Sequence, residues 1–587
     1  MGKTVGGTLG MPFEGDLSVN DISYYDPVPD GMLPNDDLDL QAVNLEILLR
    51  TGFPVCRYQL GEVWKYHISD FAPDEYGPAR SNHLDLVYAP ASGRFRNKFG
   101  NGMGAAIRSE LWACLSPGNP VLAAQLAAED ASNDHFGDGV YAAMFLAAAE
   151  SAAFTERNIV KLIYIGLANI PDGSLLHRAV EDTLIWWENT RDMLEVRKKI
   201  LDKYYSQNWT DVVINIPFVV LAAVAAEGSF DKAVCGAVSL GYDADCTGAT
   251  VGALFGIMDP DSIDEKWKKP IGDKLVLTPS IINMHEPRTV SEFCETVIGA
   301  AAEAAVYYRY DPCVEFSKEK IKQIKIEEPW LNEYKFISEW ETDSAEALIA
   351  VQPFLMSLVY PEQIAAYPGV RNKYKLKITN TYPAHTNIDI KIAAPDGWNV
   401  NGDRCSIEIG AEKTGEVEFE LIPLRTLKRC PINMLSFTLK VNGLYFTAEA
   451  GLPIAIPWTV TDENGNERIF ESETPFFTVP DGRFTYKTLI KSPADKRVRI
   501  TACGTRPSRL YLNGELKWEH NGAHYVPAFH RDEGWFDTEL KNGVNEIRIE
   551  FENSGSGEFF LGFGTLYFCT QWDDSIEYLE PGVTEDV

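Results

Sequence analysis

Two acidic clusters about two hundred residues apart carry the chemistry-bearing side chains of this 587-residue chain: Asn35-Asp36-Asp37-Leu38-Asp39 and Gly241-Tyr242-Asp243-Ala244-Asp245-Cys246-Thr247-Gly248. Each sits where a loop runs into a helix. Carboxylates this close raise one another's pKa or require a counter-ion, and a hard divalent cation is the usual one. Brought together, Asp36, Asp37, Asp243 and Asp245 make an oxygen-lined site for one or two Mg²⁺ or Mn²⁺ ions, an arrangement suited to hydrolysis. Each cluster alone has a plainer reading. Asn35 followed by acids is a good helix N-cap with its charges at the positive end of the dipole, and acidic loops are common. Their joint occurrence favours the metal.

A third segment, Gly100-Asn101-Gly102-Met103-Gly104-Ala105-Ala106-Ile107-Arg108, combines glycines with polar groups. Such loops often serve only as tight turns. Here the Gly102 and Gly104 N–H groups, Asn101 and Arg108 offer donors to a sugar or a phosphate, with Lys98 the nearest other cation. Trp112 and Trp64 are either stacking surfaces for a sugar or core side chains. Trp64, His67, His83 and Arg94 lie in a loop-rich stretch that reads equally as a cleft lining or as surface.

The elements that must position these groups fall into two styles. Residues 1 to about 310 read as helical, with Ala-rich segments at Pro120–Asp130, Gly139–Phe154 and Val219–Ala226. Gly248, Gly252 and Gly256 recur every four residues, so a helix there presents a smooth face for a neighbouring backbone. A charged stretch, Ser317–Gln323, marks a change. Alternating runs follow at 374–378, 388–392 and 417–421, and a second β-rich block begins near Ile456, with strands at 510–512 and 544–549. The expected architecture is multidomain: an all-α orthogonal bundle over 1–330, a linker and β-sandwich over 331–455, and a jelly-roll-like β-sandwich over 456–587.

Composition bounds the function. An apolar content of 45% with 11% aromatics suits packed domains. A net charge of −32 argues against nucleic-acid or anionic-membrane surfaces. Ten cysteines without a CxxC suit a reducing cytosol. No apolar leader is visible at the start and the longest apolar run, Ile216 to Ala226, is too short to span a bilayer. A cytoplasmic protein is expected, an exported form remaining open if a leader was removed.

Five motifs in order resemble the ADP-ribosylglycohydrolase family. Gly6-Gly7-Thr8-Leu9-Gly10-Met11-Pro12-Phe13-Glu14 resembles its opening helix and glutamate, and Asn35-Asp36-Asp37 its Thr-Asp-Asp box. Gly100–Arg108 resembles its Gly-Asn-Gly loop with a Met-Arg pair, Asp130–His135 a segment ending in a substrate-contacting histidine, and Gly241–Gly248 its Gly-x-Asp-Thr-Asp-Thr box. The resemblance implies an all-α fold with a metal site in a cleft. It implies metal ligands at Asn35, Asp36, Asp37, Asp243, Asp245 and Thr247, and catalytic roles for Glu14, Asp37 and Asp245. Asn101, Gly102, Arg108, His135 and Trp112 would contact substrate. The β blocks resemble accessory modules of bacterial glycosidases, which either buttress the catalytic domain or bind sugar.

The implied activity is metal-dependent hydrolysis at the anomeric carbon of an ADP-ribosyl or related ribofuranosyl group. A furanoside carbohydrate glycosidase using the same metals, and a non-catalytic sugar- or nucleotide-binding protein, stand as alternatives. The partner is a small molecule or glycan carrying a furanose; the oligomeric state is open. This chain departs from the family in having Asn35 and Cys246 at threonine positions, sulfur being a poor Mg²⁺ ligand, and in having few residues before Gly6.

Overall fold

A computed structural model describes residues 1–69, 76–285, 287–310, 345–425, 429–473, 475–522, 534–564, 566 and 572–581. The chain divides into two compact units, Met1–Ser69 with Phe99–Thr342, and Asp70–Lys98 with Asp343–Val587. The helical unit is therefore interrupted: residues 70–98 sort with the β-rich part, a discontinuity that a boundary drawn at 330 does not anticipate. The charged stretch 317–323 lies outside the described residues.

The described residues of the first unit form helices joined by loops. The expected Ala-rich helices occur as Pro120–Ala131, Asp138–Ala153 and Val212–Ala225. Side-chain caps start many of the helices: Asn119 accepts from the Leu122 N–H, Ser229 from Lys232, and Thr289 forms a capping box with Glu292. At the centre, helix Gly2–Gly10 lies against helix Ala244–Met258 with almost no side chain between them. A Cβ at Gly6 would fall 1.9 Å from the Gly248 carbonyl oxygen, and one at Gly2 would fall 2.0 Å from that of Gly252. Glycine is required there by backbone approach. This contact sets the first helix beside the loop that holds Asp243 and Asp245. The core around it includes Val5, Leu9, Val234, Val238, Val251, Phe255 and Trp267. No helix among the described residues is long and apolar enough to cross a membrane.

Among the described residues the second unit holds four antiparallel sheets. In the first block the strands are β1 (Glu346–Ala350), β2 (Leu355–Val359), β3 (Asn372–Thr379), β4 (Thr386–Ala393), β5 (Trp398–Asn401), β6 (Arg404–Ile409), β7 (Thr414–Pro423), β8 (Ile432–Val441) and β9 (Leu444–Pro453). They form sheets ordered β1-β2-β3-β7-β5 and β6-β4-β8-β9. In β4 every second residue is buried, so the alternating pattern has the physical meaning expected of a half-solvated sheet. Tyr374 stacks on Phe419, whose ring meets Phe437 of the facing sheet edge-on.

A further set of strands starts with Ile456–Asp462. It contains a seven-stranded and a four-stranded sheet, which share a core rich in Trp458, Phe477, Tyr486, Phe551 and Phe559. Buried Arg429 links the two blocks, donating to Glu580 at 2.7 Å, to Glu471 at 2.6 Å and to the Ala455 carbonyl at 2.9 Å. Residues 76–98 join this unit through backbone bonds from Leu348 to Ala89 and from Gly451 to Leu86.

Candidate metal centre

Asn35 caps helix Asp36–Thr51: its side-chain oxygen accepts from the Asp37 N–H at 2.7 Å. That requirement fixes the amide's orientation, because only the oxygen can accept. The NH₂ group is then left to donate to Asp245 Oδ2, at 3.2 Å. The second acidic loop turns through Gly241 and Tyr242, both at positive φ (72° and 65°). A side chain at Gly241 would collide with the Ser18 and Asp16 carbonyls. Tyr242 pays the strain that L-residues meet in this region. It is held there by backbone bonds to residues 15 and 16: the Gly15 N–H donates to its carbonyl at 2.8 Å, and its N–H to the Asp16 carbonyl at 2.7 Å. Those bonds dock the 14–16 segment on the acidic loop.

One ligand atom each from Asp37, Asp245 and Cys246 lies within 4.8 Å of the others, in a buried group. Asp243 is buried too, with Asp245 and the Cys246 thiol close enough to act on its carboxyl electrostatically. Burial, then Asp245, lifts the Asp243 pKa well above the carboxylate range; burial, then Glu14, Asp37 and Asp36, does the same to Asp245. The site thus gathers negative charge from all four predicted carboxylates and from Glu14, which is exposed. Thr247 stands apart from the expectation of a ligand: its hydroxyl donates to the Ala244 carbonyl of its own helix.

Lys3 was not foreseen. It is buried in the glycine-rich first helix, with its ammonium 2.8 Å from Glu110 Oε1 and 3.4 Å from Asp37 Oδ1. Gln41 Nε2 also donates to Glu110, at 2.9 Å. Burial would lower the Lys3 pKa, but Glu110 and Asp37 outweigh it and keep the ammonium charged. The one available signal was a lysine inside an otherwise small and apolar helix, since a buried charge must find a partner.

The Gly100–Arg108 segment differs from expectation in its best-known groups. Arg108 is fully buried. It donates bidentately to Asp134 at 2.6 and 2.9 Å and to Asp130 at 2.8 Å, and lies over the Trp64 ring. The Trp112 indole is buried and donates to Asp130 at 2.9 Å, so it is a core side chain and not a stacking surface. Trp64 is likewise core, bonded to Asn44. His135 is buried, accepting from the Ala105 N–H at Nε2 (3.2 Å), which leaves its Nδ1 proton for Asp134 at 2.7 Å. These three groups brace the loop. The Gly102 N–H donates to the Phe99 carbonyl. Asn101 is the group left over: its backbone carbonyl accepts from Val212, but its side-chain oxygen has no hydrogen-bond partner among the described residues.

His67 bonds to the Ile282 carbonyl. His83 and Arg94 belong to the second unit. So does Lys98, which pairs with Glu558 at 2.9 Å. An aromatic that the sequence reading passed over, half-buried Trp209, lies beside Gly15 and so next to Glu14 in the chain's fold.

A family model for ADP-ribosylglycohydrolase matches residues 1–294, and the chain belongs to that family. No curated protein matches it. Among solved structures, an "ADP-ribosylglycohydrolase-related protein complex" is similar at 19% identity over 52% of this chain and 94% of its own, with a TM-score of 0.36. A FixG-related protein from Vibrio parahaemolyticus is similar at 17% identity over 18% of this chain and 98% of its own, with a TM-score of 0.15. At such scores neither bears on the chemistry.

The family is typically metal-dependent, and the residues present fit a divalent ion. Asp37 Oδ2 and Asp245 Oδ1 are buried with no hydrogen-bond partner among the described residues. Two ionisable oxygens left so are costly unless a cation joins them.

Proposed function

We propose that the chain is a metal-dependent glycohydrolase cleaving the glycosidic bond at the anomeric carbon of an ADP-ribosyl or related ribofuranosyl group. The observation that supports this most is the buried group of Asp37, Asp245 and Cys246, with the exposed Glu14 electrostatically linked to it. Asp37 and Asp245 would hold a divalent ion, Mg²⁺ or Mn²⁺ being the ordinary choice for carboxylates. When bound, it would orient vicinal ribose hydroxyls and ease deprotonation of a water. Asp36 and Asp243 add negative charge that favours an oxocarbenium-like transition state. Glu14, exposed and electrostatically linked to Asp245, would accept and return the proton. The Asn101 amide offers the substrate a hydrogen-bonding group on the neighbouring loop.

A furanoside carbohydrate substrate is the second reading, and one observation favours it. Of the donors expected to meet a phosphate, the Arg108 guanidinium and the Gly102 N–H are engaged inside the protein. The substrate is in either case a small molecule or glycan. The test is a turnover screen of ADP-ribosylated peptide, ADP-ribose derivatives and nitrophenyl furanosides, with and without divalent ions. We expect ion-dependent turnover that falls on the order of a thousandfold in Asp245→Asn, the scale of removing a principal electrostatic group. Turnover of furanosides alone selects the second reading. Inertness toward all three with an ion bound would leave a binding protein and sink the proposal.

A further inference from the structure

The donor set of the centre is not the one that a pair of hard ions requires. Four carboxylate oxygens belong to Asp37 and Asp245, and two of them already have partners. Asn35 Nδ2 donates to Asp245 Oδ2, and the Lys3 ammonium stands 3.4 Å from Asp37 Oδ1. Neither partner is adjustable at low cost. Turning the Asn35 amide would remove the acceptor for the Asp37 N–H at the helix start. Lys3 is carried on a helix whose glycines lock it against Ala244–Met258. The remaining oxygens, Asp37 Oδ2 and Asp245 Oδ1, are buried without a hydrogen-bond partner among the described residues.

The third member of the group is sulfur. Cys246 Sγ lies within 4.8 Å of an oxygen of each carboxylate, one residue along the same helical turn as Asp245. The nearest hydroxyl in sequence, Thr247, is directed at its own backbone. Two carboxylate oxygens and a thiol suit Zn²⁺, Co²⁺ or Fe²⁺ far better than Mg²⁺ or Mn²⁺, which prefer a shell of oxygens.

We propose that the centre binds one transition-metal ion per chain through Cys246 Sγ together with Asp37 and Asp245, in preference to Mg²⁺. This rests on the metal reading above and goes beyond it by naming the sulfur ligand, the number of ions and their class. Binding exchanges the thiol's S–H for a metal–sulfur bond. The proton passes to solvent and no electron is transferred.

The full chain, stripped of metal with a chelator, is titrated with Co²⁺ and followed by absorption. The expected result is one equivalent bound, with visible cobalt bands and a near-ultraviolet sulfur-to-cobalt charge-transfer band that is missing in Cys246→Ser. Zn²⁺ should displace the cobalt at stoichiometric amounts. Mg²⁺ should fail to do so at about a hundredfold excess, and should compete at least about tenfold better in Cys246→Thr. Should the serine variant misfold by near-ultraviolet circular dichroism, X-ray absorption on the zinc-loaded wild type replaces it, where a sulfur neighbour at about 2.3 Å is expected. Cobalt bound without the charge-transfer band, or with a band that survives in folded Cys246→Ser, overturns sulfur ligation and leaves the metal reading standing. Two equivalents at the centre overturn the single-ion assignment. No cobalt binding distinguishable from Asp245→Asn overturns both readings together.

Discussion

The helical unit and the β unit bury different kinds of charge: among the described residues the β unit buries arginines such as Arg429 and Arg506, whereas the helical unit buries carboxylates together with cations. In the β unit the sandwich interiors are apolar and aromatic, as around Trp458, Tyr486 and Phe559, and alternate residues such as those of β4 put charge into solvent. Pairs such as Lys375 with Glu416 lie on that surface. In the helical unit Lys3, Asp37, Arg108, Glu110, Asp130, Asp134, Glu150, Asp243 and Asp245 are all buried. Some of these charges are closed pairs. Others keep an oxygen without a hydrogen-bond partner among the described residues: Asp130 and Glu150 singly, Asp37 and Asp245 together in one buried group. A closed buried pair is evidence of structure, while a group of unclosed carboxylates is evidence that something else binds. By that distinction Arg108 and Asp134 serve the fold, and the two acidic loops serve chemistry.

The largest effect that tests this comparison is at the glycine contact. A methyl group at Gly6 would sit 1.9 Å from the Gly248 carbonyl, so the two helices must separate. Gly6→Ala should cost upward of about 3 kcal/mol and yield little folded protein. Gly299, in helix Val290–Tyr308, has nothing within 4 Å of such a methyl. Gly299→Ala should instead stabilise by up to about 1 kcal/mol. Thermal unfolding of both variants decides the matter; equal midpoints would remove backbone contact as the device that aligns the site.

Next in size is the closed pair. Arg108→Met leaves Asp130 and Asp134 buried without their cation, and breaking such a pair costs about 3–5 kcal/mol. Adding Asp130→Asn and Asp134→Asn should recover part of the loss. Lys375→Gln, at the β surface, should leave the midpoint where it was. If Arg108→Met kept its stability but lost affinity for substrate, the guanidinium would return to the ligand-binding role that its motif suggests.

Much of this was legible in residue types. Carboxylate pairs at loop–helix junctions, glycines at a four-residue spacing and two-residue alternation each reflect local geometry, and all three lead to the elements observed. What was not legible depends on long-range approach. Lys3 and Glu110 are separated by 107 residues, and no spacing rule joins them. Trp112 and Arg108 carry the right chemistry for a ligand, but only the fold reveals that Asp130 and Asp134 enclose them. Residues 76–98 have helical stretches like their neighbours, and their membership of the β unit comes from backbone bonds to Leu348 and Gly451. Local pattern does not encode that pairing.

The smallest expected effect concerns pH and separates the unclosed carboxylates from the closed ones. Burial pushes Asp39 up to about 6 in spite of its bonds to Thr278, and burial with neighbouring carboxylates raises Asp243 and Asp245 well above the ordinary carboxylate range. Such groups hold more protons folded than unfolded above the ordinary carboxylate range, so their stabilisation is full below it and is lost as pH rises through the raised values. Asp134 has the opposite sign: burial would raise it, but Arg108 and His135 prevail and hold it at about 2. Its contribution is present above the ordinary carboxylate range and fails only as pH falls toward that value. The metal-free protein should therefore be most stable near pH ~5 and lose stability toward pH ~8. A divalent ion neutralises the carboxylates it binds, so the rise in midpoint on adding saturating Mn²⁺ should grow with pH across that interval. Differential scanning calorimetry at three pH values reads it directly. A metal increment that stays flat with pH, in a protein that does bind the ion, would mean that the ion sits away from Asp243 and Asp245, and the distinction between closed and unclosed charge would fail where it matters most.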